Sequence, residues 1–134
     1  MIKKYKSDKI ELFLTNNFLS EDSIQNINKP NSINVINDKI NNLIGIPLYE
    51  TSSYDLIHNK KYTEKKYEGT ITTWISLLIK EKTILKFENI DKKFNLKQGS
   101  ILLFSVFDIN CNMNKNILFK TSKPIYYKRF FKLI

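Results

Sequence analysis

The sequence predicts an α+β protein in which two N-terminal helices support a β core of sandwich or barrel type. Three observations carry that expectation. Apolar residues recur at helical spacing only between Ser20 and Gly45. From Tyr54 onward the chain breaks into short runs rich in Ile, Leu, Phe, Tyr and Thr, separated by polar turns. No repeat or Gly/Ser linker interrupts its 134 residues, so residues 1–134 are expected to form a single domain.

The elements follow in order. Lys9–Leu14 (KIELFL) alternates like a strand. In NNFLSEDSIQNI, Ser20 is a good N-cap, Glu21 and Asp22 suit the positive end of a helix dipole, and Leu19 can staple onto Ile24. Ile33, Ile36, Ile40, Leu43 and Ile44 mark one face of a second helix, which Gly45 ends and Pro47 cannot continue. Tyr54–His58, Thr70–Ile79, Thr83–Phe87, Lys93–Leu96, Ser100–Phe107, Asn116–Lys120 and Ile125–Leu133 read as strands. Gly99 stands at a turn position that requires positive φ.

With 42% hydrophobic and 13% aromatic residues, the chain has the material for a core. Its apolar runs, such as Ile101–Phe104, are too short to span a bilayer, and the basic N-terminus has no secretory pattern. Cys111 is the single cysteine and has no disulfide partner, which suits a reducing intracellular, cytoplasmic setting. Alanine is absent, Arg129 is the only arginine, and Lys, Asn and Ile dominate. That bias reads as an AT-rich genome, so the formal charge of +9 is partly codon history. A basic segment nevertheless closes the chain: Lys115, Lys120, Lys123, Lys128, Arg129 and Lys132 all follow the last acidic residue, Asp108. A solvated face is the plain reading. A nucleic-acid-binding module built on this Lys-rich third is the alternative.

One residue count limits the chemistry. His58 is the only histidine, so neither a two-histidine, one-carboxylate iron site nor a Cys/His zinc site can be assembled within the chain. No G-x-S-x-G elbow accompanies His58, and Cys111 has no base placed beside it. Phosphate-cradling glycine loops are absent. Asp55, Glu64 and Glu68 lie among Lys60, Lys61, Lys65 and Lys66 and read as a charge-balanced surface hairpin. Tyr126, Tyr127, Phe130 and Phe131 flank Lys128 and Arg129; they could stack bases, but at strand spacing they read as core packing.

The order of several segments carries a resemblance: NNFLSEDSIQNI, KINNLIGIPLYE, IHNKKYTEKKY, TTWISLLI, FNLKQGSILLFS and KTSKPIYYKRFFKLI. From about Lys9 to Ile134 the chain resembles the prolyl-hydroxylase-like branch of the 2-oxoglutarate and iron(II)-dependent dioxygenases. The resemblance implies a double-stranded β-helix, a jelly-roll of two packed sheets, with two N-terminal supporting helices.

The departures from that family are specific. Its first two iron ligands should follow Tyr67, where this chain reads Glu68, Gly69, Thr70; its third should stand at Lys120, a cation. No catalytic residue, metal ligand or cofactor is therefore expected. Lys128, Arg129 and Tyr62 are what the resemblance leaves of a 2-oxoglutarate site. The expectation is a catalytically inactive relative that works through an unidentified protein partner. Together with the composition, the resemblance suggests a large DNA virus as the source, with a virion-associated or host-modulating role.

Overall fold

The structure, a computed structural model, describes residues 2–6, 10–44, 54–57, 70–105 and 118–133. In chain order they form β1 (Ile2–Lys6), β2 (Glu11–Thr15), α1 (Glu21–Gln25), α2 (Pro30–Ile44), β3 (Asp55–Ile57), β4 (Thr70–Leu78), β5 (Thr83–Phe87), β6 (Lys93–Leu96), β7 (Ile101–Ser105), β8 (Phe119–Thr121) and β9 (Ile125–Leu133). Six strands make a larger sheet in the order β1-β2-β7-β4-β9-β3, and three make a smaller one in the order β6-β5-β8. The pairings are antiparallel.

Strand alternation divides the larger sheet's side chains between two cores. Leu12, Ile75, Leu77, Leu102, Phe104, Ile125 and Tyr127 pack with Leu85, Phe87, Phe94, Leu96 and Phe119 of the smaller sheet. The intervening residues Leu78, Ile101 and Leu103 pack instead with Ile24, Ile36 and Ile40 of the helices. A central strand covered on both faces has no polar side to display. Accordingly Ile101–Phe104 of β7 form a continuous apolar run, each residue 0% exposed. The smaller sheet has one face in water, and its burial alternates strictly along β5, β6 and β8.

The helical layer follows the local chemistry. Ser20 has extended backbone angles and its Oγ accepts from the Ser23 N–H at 3.2 Å, which makes it the N-cap of α1. Leu19 and Ile24 are both buried in the helix-facing core, as a hydrophobic staple requires. Gly99, at φ +84°, ties this layer to the sheet. Its carbonyl accepts from the Leu19 N–H at 3.0 Å and its own N–H donates to the Ile79 carbonyl at 2.9 Å. A Cβ at Gly99 would collide with the Leu19 carbonyl oxygen, so both φ and space demand glycine here.

The N-terminal segment differs from the sequence reading. The one strand expected in the first third has a partner that the sequence reading lacks, because Ile2–Lys6 pairs antiparallel with β2 ahead of the helices. Tyr5 is the residue that secures it, packing edge-to-face on Phe94 with ring centroids 5.5 Å apart and lying under Lys92 Nζ at 4.4 Å. Lys4 pairs with Glu11 at 3.0 Å across the hairpin. Thr83–Phe87, Lys93–Leu96 and Ile125–Leu133 form strands at the expected limits. Gly45 and Pro47 lie outside the described residues. No described helix is long and apolar enough to cross a membrane.

Candidate functional site

A buried polar cluster lies on the helix-facing side of the larger sheet. Ser76 of β4 and Lys128 of β9 are register partners, exposed by 0% and 2% respectively. Tyr54, just before β3, lies over them: Lys128 Nζ is 5.2 Å from its ring centroid, and its hydroxyl is 3.2 Å from Ser76 Oγ. The ammonium therefore faces the negative π surface of the ring, an arrangement worth most when water is excluded. Burial raises the Tyr54 hydroxyl above its ordinary pKa of 10.0, and the Ser76 hydrogen bond offsets part of that rise. Tyr54 is held by Asn28, whose Oδ1 accepts from the Tyr54 N–H at 2.8 Å and whose Nδ2 donates to its carbonyl at 3.1 Å.

Of the residues the resemblance assigned to a 2-oxoglutarate remnant, Lys128 is thus fully placed. Arg129 is the backbone register partner of Ile75 on β4. Tyr62 lies outside the described residues, as do His58, Glu64, Glu68, Cys111 and Lys115. Two members of the basic C-terminal set, Lys120 and Lys123, do not join Lys128. Lys120 and Lys123 are exposed at the smaller sheet, whereas Lys128 is buried under the helices. Tyr127 packs between the sheets and Tyr126 on the helix side. Both covered faces of β9 thus use their tyrosines for packing.

The space between the sheets can be tested against an iron centre. The position that the resemblance assigns to the third ligand, Lys120, lies on the exposed face of β8. The inward positions are Phe119 and Thr121, a ring and a neutral hydroxyl. Phe119 joins Phe87 and Phe104 at centroid distances of 6.2 and 6.4 Å, and Phe87 meets Phe104 at 5.5 Å and Phe94 at 6.1 Å. Among the described residues this is an apolar aromatic core with no strong donor for a divalent cation. Among the described residues no group of three or more His, Cys, Asp or Glu could hold a metal. A second register feature lies nearby: β4 and β9 pair Thr70 with Leu133 but Thr72 with Lys132, a bulge at the N-terminal end of β4. The described residues of this interior do not fit iron(II), and Lys128 is separated from β8 by the larger sheet itself.

A groove of about 240 Å³ also opens between the two helices, with Leu19, Val35 and Ile36 among its lining residues. Its one cation, Lys39, donates to the Phe18 carbonyl at 3.2 Å and lies 5.4 Å from the Phe18 ring.

Together these features define a class: a mostly β protein of two sheets with two helices, matching the fold of a solved prolyl hydroxylase. Two solved structures of the viral collagen prolyl hydroxylase from Paramecium bursaria Chlorella virus-1 show the likeness. A truncated form superposes with a TM-score of 0.54 at 13% identity, covering 92% of this chain and 90% of that one. The 2-oxoglutarate complex superposes with a TM-score of 0.61 at 13% identity, covering 92% and 96%. At that identity the likeness establishes the fold. No family model matches the sequence, and no curated protein matches it.

Sequence reasoning missed Tyr54 as a site residue. Its partners, Asn28 and Ser76, stand 26 and 22 positions away, and no local pattern links them. The tyrosine at the head of a predicted strand was the only available signal.

Proposed function

We propose that this chain is a non-catalytic protein on the double-stranded β-helix of the 2-oxoglutarate dioxygenases, kept for its surface and working through a protein partner. The observation that supports the reading is the Phe87–Phe94–Phe104–Phe119 ring cluster in the described interior between the sheets, with Lys120 on the outer face of β8. A chain with one histidine cannot supply a two-histidine facial set from its own residues. The jelly-roll assignment is supported by two antiparallel sheets sharing one core. The composition supports a large DNA virus as the source.

On this reading Lys128, Tyr54 and Ser76 are a structural remainder that fixes the helices on the sheet. The test is an anaerobic Fe(II) titration followed by measurement of 2-oxoglutarate decarboxylation. No stoichiometric iron binding and no turnover are expected. Stoichiometric binding with 2-oxoglutarate consumption would end the proposal.

A further inference from the structure

The exposed face of the smaller sheet has a charge pattern that its own stability does not explain. Lys86 of β5 is the direct register partner of Lys93 on β6 and of Lys120 on β8. All three side chains are on the exposed face, because the strands alternate buried and exposed in step. Three ammonium groups therefore stand in one row across three strands, a placement that destabilises a sheet. Among the described residues no ion pair relieves them, although Glu88 and Asp91 lie at the adjoining turn.

The next row carries Ile84, 45% exposed, between Asn95 and Ser122. Ser122 is fixed there by its N–H donating to the Ile84 carbonyl at 3.0 Å and its Oγ accepting from the Ile84 N–H at 2.9 Å. Just before β5 and just after β6 stand Lys82 and Lys97, both exposed. An apolar side chain is thus framed by lysines on both sides.

We infer that this face docks an acidic segment of a protein partner, with carboxylates on Lys93, Lys86 and Lys120 and an apolar side chain on Ile84. This rests on the partner-binding reading above and gives it a surface. Charge complementarity selects an anionic ligand. Ile84 favours a protein, since the charged phosphates that would pair with these lysines on a duplex backbone supply no apolar side chain to cover it. Among the described residues this face has no arginine for bidentate phosphate recognition and no exposed aromatic ring for base stacking.

The experiment uses the full chain and three fluorescent probes: a glutamate peptide with one central leucine, an all-glutamate peptide of equal length, and a mixed-sequence DNA duplex. Anisotropy at physiological salt should rank them in that order. Ile84→Ser should reduce binding of the leucine peptide to the all-glutamate level. Lys86→Glu should weaken it by about tenfold or more while raising the melting temperature, because the same change relieves the lysine row. A purely structural lysine would not show that opposition. The inference is overturned if the duplex binds as tightly as the leucine peptide, if no peptide binds, or if Lys86→Glu leaves binding unchanged. None of these outcomes bears on the iron titration, so the two proposals fail separately.

Discussion

The side-chain amide of Asn28 forms both hydrogen bonds to the backbone of Tyr54 that a neighbouring strand would form, accepting at 2.8 Å and donating at 3.1 Å. Asn28 lies between the two helices and Tyr54 leads into β3, so one side chain joins the helical layer to the end of the larger sheet. Asn28→Ala is expected to cost about 1–2 kcal/mol in chemical denaturation. Asn28→Asp keeps the acceptor and loses the donor, so it should fall between wild type and alanine. Equal stability of all three proteins would show that the clamp contributes nothing.

Gly99 should tolerate no side chain. Gly99→Ala must place a Cβ against the Leu19 carbonyl at φ +84°. A loss of at least about 2 kcal/mol is expected, with the effect concentrated on the contact between the sheet and α1. Hydrogen exchange at the Leu19 amide would report it directly.

Tyr54 predicts a particular alkaline behaviour. Burial raises its hydroxyl pKa above the ordinary 10.0, while the Ser76 hydrogen bond acts in the opposite direction. The folded state therefore favours the protonated phenol. Its contribution is fully present below pH 10 and declines as pH rises from the unfolded value towards the folded one. Tyr54→Phe should flatten stability against pH in that window, and tyrosinate absorbance should show one group ionising only with unfolding. Parallel stability curves for both proteins would contradict this.

Phe87 touches three other rings, Phe94, Phe104 and Phe119, and is fully buried. Phe87→Ala should cost about 3–5 kcal/mol, and Phe87→Leu distinctly less because less volume is lost. A small effect of alanine in thermal denaturation would mean that the sheets can close over the gap.

Features decided by neighbours in sequence were legible beforehand. Ser20 caps α1 because the cap needs only the residues that follow it, and β5 and β6 could be bounded because their one-sided burial writes a strict alternation. β1 was not legible, since IKKYK holds its place through Tyr5, whose ring partner Phe94 is far along the chain. β7 shows the opposite difficulty: its continuous apolar run conceals which residues face which core. The candidate site suffered most. Lys128 could be noticed as a basic residue among tyrosines, but its face depends on pairing with Ser76 across β4, and that register is a tertiary fact. Tyr54 gained its role only when Asn28 and Ser76 were brought to it.

The borders of the larger sheet have a consequence for the protein in bulk. At one end of the described strands β1 presents exposed Lys3, Lys4 and Lys6; at the other, β3 is three residues long and begins with exposed Asp55. Leu56 is exposed there, but on a strand too short to template another. Unpaired backbone at a sheet edge recruits further chains when it is long, flat and neutral. Neither border meets that description, so concentrated solutions should resist fibrillation from the native state.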